Sequence, residues 1–470
     1  MDSEYEFSPE ESSNLIVVER FEEMLSEKKS FFFDVDEFED LLNYYNSKNN
    51  VNRALAVVKH AMQLHPDSAT ILVSCAQLYV AIHKPQEALR YLNLAETFEP
   101  FNIELFYTKA SIFSQLRKSD KAIEQYKKAL DHAEDFEKED IQLQLAFEYE
   151  NLSKYSFAIE HLQEILKTNH ENETALYELG FCYDVSEKIE DGKAYFEKFV
   201  NLHPYSYIGW FNLGITFGKL KLYEKAIDAY DFAIAIKEDF SSAYFNKAHC
   251  FGQQGNHVEA LKCFNETLQF DTEDSLSYYY MGESLEKLES YEKAVSFYKK
   301  AIELDEFLAD AWLGVGSCYF ELGRDLDSIS YIKKALELDE LNPDYYYLLG
   351  EVQTQLGFYK EALASFLKVY ELDVQNDTIL IDIANTCDEL NDSEEAMNYF
   401  CKGVKDQPNN GKLLYNFVAF LFKKGDLINA LFYLDSALKN FYDLKEELFE
   451  VYEEAKFNPQ VIELLEYYKK

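Results

Sequence analysis

Metal or nucleophile chemistry needs His, Cys or carboxylate groups held close together. One stretch of this 470-residue chain offers candidates: His249, Cys250, His257 and Cys263 fall within fifteen residues. Imidazole and thiolate are the usual ligands of tetrahedral zinc. Their placement argues against a shared ion, because the apolar period puts Cys250 and Cys263 on different helices at core positions and His257 in a turn. The expectation is packed thiols and no metal. No glycine-rich phosphate loop, H-E-x-x-H or G-x-S-x-G run occurs. With 86 Asp and Glu, any pair at catalytic spacing is a coincidence of composition. The sequence therefore predicts no enzyme, no cofactor and no catalytic residue.

Composition narrows the class further. At 47% hydrophobic residues the chain can bury a core despite a net charge of -41. That charge repels phosphates, which disfavours nucleic acid and anionic membrane surfaces. Neutral or basic protein partners remain. No apolar run is long enough to span a bilayer, and the start MDSEYEFSPEESSNL lacks the basic and apolar regions of a secretory signal. The expected location is cytoplasmic. The cysteines at 75, 182, 250, 263, 318, 387 and 401 form no C-x-x-C pair and read as free, mostly buried thiols.

The elements behind these residues repeat. In residues 207–240, Trp210, Leu213, Gly214 and Phe217 mark a first amphipathic helix, and Ala226, Tyr230 and Ala233 a second. Steps of 34 residues give starts at Val35, Ala69, Ile103, Glu139, Glu173, Tyr207, Ser241, Ser275, Ala309, Pro343, Asp377 and Gly411. One step, from Ile103 to Glu139, is two residues longer, and the excess falls in the connector DHAEDFEKED. The twentieth position is small in all twelve units, from Ala54 through Ala226 to Ala430. Two helices can cross closely only over such residues. Connectors such as HPDS and EPFN supply a helix-stopping Pro and a capping Ser or Asn, and Gly255, Gly323, Gly357 and Gly425 fall where the first helix must end. Ile165 and Phe199 replace the alanine usual at their position, which predicts altered packing near residues 131–206. Residues 1–34 form an acidic extension with a helix around Asn14–Lys28, residues 35–444 the twelve repeats, and residues 445–470 capping helices in which Leu448, Val451, Leu464 and Leu465 cover the open end.

This pattern of small and aromatic positions resembles the tetratricopeptide repeat family over residues 35–444. The overall flavour, beginning FFFDVDEFEDLLNYYNSKNN, is similar to tetratricopeptide proteins of Bacteroidetes-type bacteria. The resemblance implies an all-α fold: an α-solenoid, a right-handed superhelix of about twelve helix–turn–helix repeats with a C-terminal capping helix. It also implies a concave groove lined by positions 2, 5, 6 and 9 of each first helix. On that reading the groove carries Tyr107, Tyr177, Phe211, Phe245, Tyr279, Tyr347 and Tyr415 at position 5, and Asn212, Asn246 and Asn416 at position 6. Aromatic faces and Asn amides suit a bound peptide backbone. Carboxylates including Glu39, Glu283, Asp310, Glu351 and Asp382 share those positions with a single base, Lys412. The basic clamp by which some family members grip acidic chaperone tails is absent, so those tails are disfavoured. The expected function is a non-catalytic scaffold binding a neutral or basic peptide or protein segment in the groove. The alternative is a regulatory or assembly subunit of a larger complex, or a self-associating array.

Overall fold

The computed structural model describes residues 9–27, 30–373, 376 and 378–469, with the side chains of 9–15 and 27 set aside. The described residues are helical, without a β-strand. They divide along the chain into two compact units, with the boundary between Glu238 and Asp239.

The first unit opens with a helix, Pro9–Glu27, followed by six antiparallel pairs. These are Val35–Ser47 with Val51–Leu64, Ala69–Ala81 with Pro85–Phe98, and Ile103–Gln115 with Ser119–His132. Then come Asp135–Asn151 with Tyr155–Thr168, Glu173–Val185 with Ile189–Leu202, and Tyr207–Lys219 with Tyr223–Ile236. On the opening helix Val18, Phe21 and Met24 are buried against Phe33, Phe38 and Tyr45, while Leu25 is exposed. The helix begins five residues before the expected Asn14; Leu15's side chain and Lys28 lie outside the described residues. Arg20 fixes its angle, donating to Glu37 Oε1 at 2.6 Å and to the Phe32 carbonyl at 2.9 Å.

The second unit also holds six pairs. These are Ser241–Gln253 with His257–Phe270, Ser275–Lys287 with Tyr291–Leu304, and Ala309–Glu321 with Asp325–Leu338. Pro343–Gln355 with Tyr359–Leu372, Ile379–Glu389 with Ser393–Asp406, and Gly411–Lys423 with Leu427–Phe441 complete it. Two short α-helices, Glu446–Val451 and Pro459–Tyr468, close its end, and Leu448 and Val461 are buried beneath them.

The pairs form for the reason the sequence suggests. Alanines at the crossing, such as Ala54, Ala226, Ala294 and Ala430, are wholly buried. Opposite them, a Cβ built on Gly214 would meet the Tyr230 ring at 2.5 Å, and one on Gly350 the Phe366 ring at 2.5 Å. The missing side chain is what lets an aromatic of the second helix seat against the first. Caps fall where predicted: the side chains of Ser68, Asn102, Ser206 and Asn410 accept from the backbone N–H three residues on. Each first helix ends in a left-handed residue at the same repeat position. Four are the glycines, and eight are other residues, among them Arg117 (φ 55°) and Lys221 (φ 59°).

The structure departs from the sequence reading at the long connector. The segment after His132 is mostly helix, since the next first helix already begins at Asp135. Glu137 turns back to accept from the Glu134 N–H at 2.9 Å, a capping arrangement that recruits the acidic residues. Ile165 and Phe199 fill their larger positions with buried side chains, and Phe199 packs on the rings of Tyr195 and His203.

Candidate binding surface

The face built by the first helices carries the predicted residues, and their surroundings sort them into two groups. In five of the seven cases the position-5 aromatic rests on an aromatic of the second helix in the same repeat, while Tyr177 meets Phe211 of the next first helix. Tyr107 lies 5.5 Å from Tyr126, Phe211 5.9 Å from Tyr230, and Phe245 5.7 Å from Phe264. Tyr279 lies 5.7 Å from Tyr298, and Tyr347 5.9 Å from Phe366. One side of each ring is therefore committed to holding the repeat together. What remains for a partner is the other side, where it is open.

It is open at Tyr107, Tyr177, Phe245, Tyr279 and Tyr347, which are half-buried or exposed. It is closed at Phe211, Asn212, Tyr415 and Asn416, all buried. The Asn212 amide donates at 2.7 Å to the Leu176 carbonyl of the preceding repeat, and its position leaves room for no more than the bare Cα of Gly180. Asn212 is thus a bond between repeats, not a grip for a peptide. The Tyr415 hydroxyl donates to the Phe441 carbonyl at 3.1 Å, and the Asn416 amide to the Lys412 carbonyl at 2.9 Å. The C-terminal helices cover that last first helix, with Tyr452 stacked on Phe422. Asn246 also uses its amide internally, on the Ser242 carbonyl at 2.8 Å.

In the first unit the open face is acidic. Burial raises the Glu39 carboxyl, and Glu104, Asp36 and Asp40 raise it further. Burial raises the Tyr107 hydroxyl, and Asp140 raises it further. Burial pushes the Glu150 carboxyl up to about 7 against the opposing effect of the Cys182 thiol, which donates to its Oε1 at 3.2 Å; Glu178 beside it adds to the rise.

In the second unit three recesses open beside its first helices. One of about 310 Å³ lies beside His249, His257, Tyr280 and Lys287. Tyr280, at position 6, was missed by looking only for Asn there; its ring stacks on Phe264. Cys250 and Cys263 are buried, His249 is exposed against Tyr280, and among the described residues no group of three or more possible ligands is set for a metal. A second recess, about 190 Å³, is bounded by Tyr279, Glu283, Asp310 and Leu313. A third, about 610 Å³, is lined by Glu351, Asp382, Asn385, Glu389, Phe320 and Lys423. Here one oxygen of Asp382 is buried without a hydrogen-bond partner. Burial pushes its carboxyl up to about 7 and Glu351 adds to this, while Lys412 and the Tyr347 hydroxyl pull the other way. Glu351 is raised too, by burial and by Glu321. Asp388 is neutralised by Lys424 at 2.5 Å. The arrangement sets four carboxylates, Glu351, Asp382, Asp388 and Glu389, against one lining base, Lys423, beside apolar walls.

Comparison with known proteins agrees with the repeat architecture. Two family models, both described as tetratricopeptide repeat, match residues 103–136, 174–206, 208–240, 241–274, 276–307, 309–340, 343–376 and 378–410, more than half the chain. No curated protein matches significantly. Among solved structures the chain is similar to the yeast Tom70 at 16% identity, covering 92% of this chain and 95% of that one, with a TM-score of 0.42. It is similar to the Cut9–Hcn1 hetero-tetramer of the APC/C at 14% identity, 86% and 94% coverage, TM-score 0.42. It is also similar to a tetratricopeptide repeat protein from Parabacteroides merdae at 15% identity, 53% and 99% coverage, TM-score 0.42. No described helix is long and apolar enough to cross a membrane. With more than half of its length matched by the repeat models, this chain belongs to the tetratricopeptide repeat family.

Proposed function

We propose that this chain is a non-catalytic protein-interaction scaffold whose first-helix face takes an extended protein segment bearing lysine or arginine. The observation that carries the reading is the recess at Glu351 and Asp382, where half-buried carboxylates outnumber the lining base and half-buried Tyr347 stands alongside. A cationic side chain there would gain from both charges, while an acidic segment would meet like charge. The aromatic floor supplies contact area at low entropy cost. The cytoplasm is the proposed location; six buried free thiols support it, since a reducing compartment keeps such groups intact.

The test uses two fluorescent peptides of the same length, one alternating Lys with apolar residues and one with Glu in place of Lys. Anisotropy is measured with the wild type and with Glu351→Gln/Asp382→Asn. The reading expects the Lys peptide alone to bind, and the double variant to weaken it roughly tenfold, the cost of removing charge complementarity at one pocket. Equal binding of both peptides, or of both proteins, refutes it.

A further inference from the structure

A second surface lies away from the first helices, at the end of the second unit. Along the last second helix, Leu427–Phe441, Ile428 is 85% exposed and Phe432 67% exposed. Tyr467, on the helix Pro459–Tyr468, is 69% exposed. The three border an open groove of about 860 Å³ between these helices, with Leu431 and Leu464 at its base.

The repeat itself shows how unusual this is. Phe432 occupies the twenty-second position of its repeat. In the other eleven repeats that position holds Ala, Ser, Asn or a charged residue, as in Asp228, Lys262, Ser296 and Asn398. Ile428 occupies the eighteenth, which is polar in nine of the other eleven repeats, as at Glu224, Glu292 and Glu394, and apolar at Val258 and Leu326. Phe432 thus puts a large ring where every other repeat has a small or polar residue, one helical turn from the exposed Ile428. A groove between two helices with apolar side chains along it and polar ones at its rim is the shape into which an amphipathic third helix packs its ridge.

The rim says what kind of helix. Asp435 and Glu463 line the groove, and no Lys, Arg or His does so. A second copy of this chain would bring those carboxylates against their own kind, on a molecule of net charge -41. We propose that this groove docks an amphipathic helix of another protein, apolar on the seated face and flanked by lysine or arginine. The site is independent of the first-helix surface.

The probe is a fluorescein-labelled helical peptide with leucines on one face and lysines on the other, beside a version with glutamates for the lysines. Three proteins are compared: the wild type, Ile428→Ser/Phe432→Ser, and Asp435→Asn/Glu463→Gln. The serine pair leaves the net charge untouched, so general attraction to an acidic chain survives in it. The proposal expects the serine pair to weaken the lysine peptide roughly tenfold and the amide pair a few-fold, as for loss of central anchors and of rim charges. It also expects slowed hydrogen exchange in Leu427–Phe441 and Pro459–Tyr468 on binding. Equal binding by the wild type and the serine pair overturns it, as does no binding. A wild-type dimer in light scattering that the serine pair makes monomeric also overturns it, because the occupant is then a second copy.

Discussion

Asp382→Asn should stabilise the protein at neutral pH and leave it unchanged in acid. Asp382 begins from a model-peptide value of 3.8 and is pushed up to about 7, chiefly by burial. Its folded value is raised, so folding is unpenalised where both states are protonated, below about pH 4. The penalty grows as pH rises and is complete above about pH 7, where the folded protein too must carry the buried charge. At about 1.4 kcal/mol per unit the ceiling is about 4 kcal/mol, and relaxation around the site brings the expected gain to about 2–4 kcal/mol. Asparagine keeps an acceptor for the Tyr347 hydroxyl, so the substitution tests charge more than hydrogen bonding. Because stacked repeats need not unfold as one, the readout is local: hydrogen exchange of the helix Ile379–Glu389, converted to an opening free energy. The expected gain appears at about pH 8 and shrinks to a few tenths of a kcal/mol below about pH 4. An equal gain at both pH values would refute the electrostatic reasoning, and a loss at about pH 8 would mean the carboxylate is satisfied.

The Asn212–Gly180 contact predicts a coupled pair. Gly180→Ala places a Cβ 2.5 Å from Asn212 Oδ1 and should cost about 1–3 kcal/mol in thermal or urea unfolding, but far less in an Asn212→Ala background. Additive costs would mean the two residues do not share a fit. At the left-handed turn, Arg117→Gly and Lys221→Gly should each stabilise by about 0.5–1 kcal/mol, the backbone strain relieved less the entropy glycine adds to the unfolded chain. Glycine at either place lowering the urea midpoint would contradict that balance.

The repeats were legible because the helix crossing admits so few residue types. Ala226 and Gly214 cannot be enlarged without separating the helices, so their spacing survives as a period. The start of the helix at Asp135 was not legible from that period, since it depends on Glu134 and Glu137 capping locally. The binding face was legible as a set of positions and not as a surface. Position 6 places Asn212 on the face, but the glycine one repeat earlier draws it inward. Position 5 places Tyr415 there too, but the C-terminal helices fold over it, and a repeat pattern carries no information about what packs on top of it. The acidic character of the face was visible in Glu351 and Asp382. The upward shift of their carboxyls was not, because its chief cause is burial in the folded chain.

The central claim is that the first helices, not the second, meet the partner segment. Hydrogen-exchange footprinting of the full chain with the alternating-lysine peptide tests it most directly. The account predicts slowed exchange in Ser275–Lys287, Pro343–Gln355 and Ile379–Glu389, with their second-helix partners unchanged. Protection confined to second helices would contradict it.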